Sequence, residues 1–301
     1  MKKIVLIMGI ITVIVAGLWV MNRLKNQTQT AVYTIGILQT ASHPALDASR
    51  DGFIKELKNR LGSDVEFIIQ NAQGSVTTAH SIAQQFQANK KLNGIFAIAT
   101  PAAQAMVTVE KERPIFIAAV TDPNNLGLIH ATTNVCGVTD MIDVTAEIEM
   151  LVHLLPHTKT VGLLYTAGET NSIVTVKMMR SELESRGLTA LDFAMSNESD
   201  MQSIVELACR KVDVILTPTD NTVASAITLL ATITLKNNKP LIVSDNMLVK
   251  FGALAARGVD YETCGKQAAE IAYRVLVEDK KPHEITIESG RCNSIIINPK
   301  T

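Results

Sequence analysis

Apolar residues along this chain fall into short β-branched runs, separated by stretches of helical spacing, with polar or turn residues at the junctions. The runs at 32–39, 65–70, 94–99 and 114–120 read as strands, because each is apolar over strand length and bounded by turn residues. Between them, 44–60 carries Ala45, Ala48, Phe53, Ile54 and Leu57 on helical spacing, and 77–89 places Ile82, Ala83 and Phe86 on one face. A third helix is expected from Pro101 to Val109, with proline in its first turn. The same order follows in the second half. Strands are expected at 161–165, 188–194, 212–216 and 241–243, and helices at 172–185, 201–210 and 223–236. A helix at 261–277 and a strand at 294–298 close the chain. Strands alternating with helices predict parallel sheets covered on both faces, and a wholly apolar run such as Ile115–Val120 suits a strand with no solvent face.

The second half also repeats the first in letters. Thr34-Ile35-Gly36-Ile37-Leu38-Gln39-Thr40-Ala41 returns as Thr160-Val161-Gly162-Leu163-Leu164-Tyr165-Thr166-Ala167, and Arg113-Pro114-Ile115-Phe116-Ile117 returns at the same offset as Lys239-Pro240-Leu241-Ile242-Val243. So long a period implies two similar lobes. The expected division gives residues 31–140 with 259–284 to lobe one, and 141–258 with 285–301 to lobe two. Residues 138–145 form one crossing, with two more near 256–261 and 282–290, so that the hinge has several segments.

Composition narrows the class. The 301 residues are 47% hydrophobic and only 4% aromatic, with a formal net charge of −1, which gives neither a basic stripe nor stacking aromatics for nucleic acid. Residues 1–30 hold Lys2-Lys3 followed by an uncharged, mostly apolar run from Ile4 to Met21, then a polar linker. That is the layout of an export signal or a membrane anchor. The protein is therefore expected to be exported, either periplasmic or tethered to the outer face of the cytoplasmic membrane. Cys136, Cys209, Cys264 and Cys292 show no metal-ligand spacing and are read as buried or half-buried thiols, with a disulfide chemically open to an exported chain.

In open parallel sheets, ligands bind beyond the carboxyl ends of the strands. Here those ends carry polar residues throughout: Gln39-Thr40, Asn71-Ala72-Gln73-Gly74, Thr100 and Thr121-Asp122 in the first half, and Tyr165-Thr166, Thr217-Pro218-Thr219-Asp220-Asn221-Thr222 and Ser244-Asp245 in the second. Thr100 stands where a helix begins and would favour an anion such as a carboxylate. Asp122, Asp220 and Asp245 suit an ammonium group. A small zwitterion answers both. Asp220 is expected to bind it, with removal of its carboxylate sparing the apo fold. The competing reading makes Asp220 a helix cap.

Catalytic patterns are absent. There is no G-x-S-x-G, P-loop or G-x-G-x-x-G, and Pro156 interrupts the His153–His157 spacing. No catalytic group, metal or cofactor is assigned. A ligand-sensing module for a membrane receptor, or an enzyme using the cleft aspartates, remains as an alternative.

Several segments, in order, carry a family resemblance: Gly36-Ile37-Leu38-Gln39, His43-Pro44-Ala45-Leu46-Asp47, Gln70-Asn71-Ala72-Gln73-Gly74, Ala97-Ile98-Ala99-Thr100-Pro101-Ala102-Ala103-Gln104, Ala119-Val120-Thr121-Asp122-Pro123 and Pro218-Thr219-Asp220-Asn221-Thr222-Val223-Ala224-Ser225. From about residue 32 to 298 the chain resembles ABC-transporter substrate-binding proteins of the tryptophan/tyrosine-binding type. The resemblance implies an α/β fold of two Rossmann-like lobes with parallel sheets, of periplasmic-binding-protein type I, joined by a multi-segment hinge. It also implies delivery of an aromatic amino acid (tryptophan, tyrosine or phenylalanine) to an ABC permease by a monomer that closes on its ligand. The lipobox cysteine of many such proteins is missing. The contacts it implies are Gln39, Gln73, Thr100, Thr121 and Asp122 from lobe one, and Tyr165, Asn171, Thr219, Asp220, Asn221 and Asp245 from lobe two, with Tyr165 packing on the aromatic ring.

Overall fold

The computed structural model describes residues 33–124, 127–129, 133–291 and 294–301. The N-terminal apolar run and Cys292 lie outside the described residues. Lobe one begins with β1 (Tyr33–Gln39), α1 (Pro44–Leu61), β2 (Val65–Asn71), α2 (Val76–Ala88), β3 (Gly94–Ile98), α3 (Thr100–Val109), β4 (Ile115–Val120) and β5 (Val135–Thr139). Lobe two follows with α4 (Val144–Leu154), β6 (Thr160–Thr166), α5 (Thr170–Ser185), β7 (Thr189–Met195), α6 (Met201–Lys211), β8 (Val214–Thr217), α7 (Asn221–Ser225), α8 (Ile227–Lys236), β9 (Leu241–Val243) and β10 (Ala255–Gly258). The chain then returns through α9 (Tyr261–Leu276) and β11 (Glu288–Ser289), and ends on β12 (Ser294–Ile297).

These strands make two six-stranded sheets, ordered β11-β5-β4-β3-β1-β2 and β12-β10-β9-β8-β6-β7. All pairs are parallel except β10 with β12, where Ala255 faces Ile297. Alternation decides which face each side chain takes. Along β3, Phe96 and Ile98 join the core under α1 and α9, while Ile95 and Ala97 join the core under α2 and α3. Lobe two divides likewise, with Val161 and Leu163 on the face of α4 and α5, and Leu164 on the face of α6 and α8.

The repeated glycine has a packing reason. A Cβ on Gly36 would lie 3.0 Å from the Phe86 ring, and one on Gly162 would lie 3.1 Å from the Phe193 ring. In both halves the first strand gives up a side chain so that an aromatic ring can lie against it.

Three segments cross between the lobes: after β5, after β10 and after β11. The third differs from the expected division. Glu288 and Ser289 pair with Val138 and Thr139 of the first sheet, and Ile285 is buried in the first-lobe core, so residues 285–290 pack with lobe one. A two-residue strand has no periodicity to read. β5, α4 and β10 were also not foreseen as elements, and the single helix expected at 223–236 is broken at Ala226 into α7 and α8.

Helices α1 and α9 cross at backbone contact. A Cβ on Gly265 would sit 2.0 Å from the Ser49 carbonyl oxygen, and one on Gly52 would sit 2.3 Å from that of Glu262. Gly265→Ala is expected to destabilise lobe one by about 1–3 kcal/mol through overpacking, read as a lower urea midpoint at unchanged slope.

Candidate functional site

The carboxyl edges of the two sheets face each other, and the lobes touch there. His43 Nε2 lies 3.3 Å from Asn221 Oδ1, and the Thr121 and Thr219 hydroxyls are also 3.3 Å apart. Two cavities occupy this junction. The larger, about 430 Å³, is walled by Thr40, Ser42, Gln73 and Pro101 from lobe one and by Glu169, Asn197, Asn221 and Thr222 from lobe two, among others. Its size is that of a small-molecule site. The smaller, about 20 Å³, lies toward the hinge between His43, Leu46, Thr121, Asp140 and Tyr261 on one side and Asn171, Thr219, Asp220, Asn221 and Asp245 on the other.

Glu169 organises lobe two's rim, and sequence reasoning missed it. The residue is buried just before α5, and both carboxylate oxygens accept hydrogen bonds from the start of α7. Oε1 accepts from Thr222 N and Oγ1, each at 2.9 Å, and Oε2 accepts from Asn221 N at 2.9 Å and Asn221 Nδ2 at 2.6 Å. Asn171 Nδ2 donates to the same Oε2 at 3.3 Å and to the Thr219 carbonyl at 2.9 Å. A carboxylate at a helix N-terminus gains from both the free N–H groups and the dipole. A signal for it was present in the repeat: the offset that maps Thr40-Ala41 onto Thr166-Ala167 maps His43 onto Glu169. The two counterparts meet at Asn221.

Two of the aspartates expected to hold an ammonium, Asp220 and Asp245, serve as helix caps. Asp220 caps α7 through Val223 N at 2.9 Å and accepts from Thr166 N at 2.7 Å, Thr166 Oγ1 at 2.9 Å and Ser172 Oγ at 2.7 Å. Burial, with the charge of Glu169 beside it, pushes its carboxyl up to about 7. Asp245 caps the 3-10 turn at Asn246–Phe251 through Met247 N, and burial, with Asp140 adding to it, also raises it to about 7. Asp140, in the first crossing, accepts from Thr121 Oγ1 at 2.9 Å and from the Tyr261 hydroxyl at 3.0 Å, so it ties two crossings together, and burial raises its carboxyl.

Of the expected contacts, Gln73 and Asn221 line the larger cavity, and Thr121, Asn171, Thr219, Asp220, Asn221 and Asp245 line the smaller. Gln39, Thr100, Asp122 and Tyr165 line neither. Gln39 spends its amide on the Ala41 carbonyl and Asp47, and accepts from Arg50. Thr100 is buried in the first turn of α3. Asp122 sits in a left-handed turn with φ 49°. Tyr165 packs on the α4/α5 face of lobe two, near Arg180 and Asp192, because its place in the strand alternation turns it that way.

Among the described residues no cluster of His, Cys, Asp and Glu is placed to hold a metal, and no helix is long and apolar enough to cross a membrane. Cys136, Cys209 and Cys264 are buried thiols.

The family model described as ABC transporter substrate binding protein matches residues 34–301. A tyrosine-binding protein of Clostridioides difficile is 34% identical over 93% of this chain and 83% of its own length. Among solved structures, an ABC domain from Streptococcus pneumonia in complex with L-Trp has a TM-score of 0.85 at 30% identity, covering 89% of this chain and 92% of that one. A ligand-free, open structure of a substrate binding protein with adhesive properties from Clostridium difficile covers 89% and 93% at 34% identity, yet scores 0.67. The better fit to the liganded relative, despite lower identity, agrees with lobes in contact. The fold is that of type I periplasmic binding proteins.

Two outcomes follow from the buried carboxylates. Asp220→Ala, first expected to spare the apo fold, instead removes a cap and strands Ser172 and Thr166, so a loss of about 1–3 kcal/mol is expected in apo denaturation. Glu147, buried on α4 with Ser244 Oγ donating to it at 2.9 Å, is raised from 4.5 to about 8, chiefly by burial. Its folded form favours the proton, so its contribution is full below the unfolded value and is lost as pH rises toward 8. Between pH 5.5 and 8.5 the melting temperature of Glu147→Gln should fall less than that of the wild type.

Proposed function

Because the chain belongs to the ABC transporter substrate binding protein family, we propose that it captures an aromatic amino acid outside the cytoplasm and hands it to an ABC permease. The observation that carries this reading is the composition of the larger cavity's wall. It holds two carboxylates, Glu169 and Glu198, and no lysine or arginine. The first turns of α2 and α3 add Val76 and Pro101 to the same wall. Carboxylates seat an ammonium, and helix N-termini seat a carboxylate. The pair answers the two ends of an amino acid, with Glu198 in the role first expected of the aspartates, since Glu169 already accepts five hydrogen bonds. The aromatic side chain is supported by the relatives, one tyrosine-binding and one complexed with L-Trp.

Ligand bridging both rims favours the closed lobes over the open ones, since only closure completes its contacts. Closure brings His43 to Asn221 and Thr121 to Thr219, and excluding water strengthens the polar contacts. Reopening on the permease would release the cargo. The protein acts as a monomer, and residues 1–30 direct export or tether it to the membrane.

Calorimetric titration of the full chain with L-tryptophan, L-tyrosine and L-phenylalanine should give micromolar or tighter binding for at least one, about −8 kcal/mol. L-Leucine should bind more weakly. Glu198→Gln should weaken that binding at least about tenfold, about 1.4 kcal/mol. Failure of all three aromatic ligands, or equal binding of leucine, would end the aromatic assignment.

A further inference from the structure

The smaller cavity has a defined hydrogen-bonding polarity. Asn221 Nδ2 donates to Glu169, which fixes the amide so that Oδ1 faces His43 Nε2. An oxygen there requires the proton on Nε2, and Nδ1 is left as a bare acceptor. Asn171 is oriented in the same way: Nδ2 donates to Glu169 and to the Thr219 carbonyl, and Oδ1 is left as an acceptor. His43 Nδ1 and Asn171 Oδ1 are buried without a hydrogen-bond partner among the described residues, and the two side chains are 7% and 4% exposed. Burial also lowers the basicity of His43, which keeps the ring neutral and Nδ1 an acceptor. Both side chains line the recess, one from each lobe, and Leu46, Ala119, Pro218, Ala224 and Leu248 supply apolar wall around them. The enclosed space of about 20 Å³ has room for one O–H or N–H group.

We propose that this recess is a seat for a single hydrogen-bond donor at the ring end of the ligand, with His43 and Asn171 as specificity-determining residues that select ring O–H or N–H over an unsubstituted phenyl. The inference rests on the aromatic amino-acid reading above and narrows it. Buried acceptors discriminate strongly, because a ligand lacking the donor leaves them unpaired inside the closed protein. Glu169 acts here through others, as a positioning residue that turns both amides. The same donor could come from a trapped water, and the ligand series below separates the two sources.

The test is calorimetry of the full chain with four ligands: L-tyrosine, L-phenylalanine, L-tryptophan and 1-methyl-L-tryptophan. Tyrosine is expected to bind at least about tenfold more tightly than phenylalanine, and tryptophan at least about tenfold more tightly than its N-methyl analogue. His43→Leu and Asn171→Ala should each pull both ratios toward one, mainly by weakening the donor-bearing ligand; a variant that merely perturbed the fold would weaken all four alike. Melting curves identify any variant that does not fold, and the other then carries the test. Equal binding within both wild-type pairs would overturn the donor seat and assign the recess to water, leaving the aromatic reading intact. Ratios unchanged in both variants would overturn the roles of His43 and Asn171. Failure of all four ligands to bind would overturn the aromatic reading, and the donor seat with it.

Discussion

The cleft depends on one buried carboxylate. Glu169 holds the first two residues of α7 by backbone and side chain, and through the same oxygens sets the orientation of Asn171 and Asn221. Without a charge at that point α7 would begin with unsatisfied N–H groups in a buried position, where each is costly. With it, lobe two presents a fixed pattern of donors and acceptors to lobe one. The interlobe contact His43–Asn221 is therefore set by a third residue that bonds Asn221 directly.

The hinge is organised by a second buried acid. Asp140 binds Thr121 at the end of β4 and Tyr261 at the start of α9, joining the outgoing and returning crossings. Thr121 in turn meets Thr219 of the other lobe. A chain of hydroxyls and carboxyls thus runs from the hinge into the interlobe contact. Burial raises Asp140, Asp220 and Asp245, so the cleft floor resists carrying full negative charge, and on the larger cavity's wall Glu169 is spent on α7 and Asn171 while Glu198 is exposed.

Much of the architecture was legible because parallel strands buried on both faces leave long apolar runs. Ile115–Val120 is buried at every position. The duplicated Thr-x-Gly motif, with its glycine against Phe86 or Phe193, announced the two lobes. What escaped notice was short or set by packing. β11 has two residues and no pattern, and it moved residues 285–290 to the first lobe. Among the candidate contacts, a polar residue at a strand end could be recognised, but its direction could not. Gln39 turned inward to Arg50 and Asp47, and Tyr165 followed its strand's alternation away from the cleft.

Sequence alone determined most of the elements, their order and the duplication, because these follow from local periodicity and from letters repeated at a fixed offset. Only the tertiary structure decided which donors each acid accepts from and which cavity it borders. Asp220 and Glu169 are both acidic residues near helix starts in the second half. One accepts from four donors and borders the small recess, and the other accepts from five, joins the wall of a 430 Å³ cavity and turns two asparagines. That difference comes from which donors the fold brings within hydrogen-bonding distance across some fifty residues of chain, and no local pattern carries that distance.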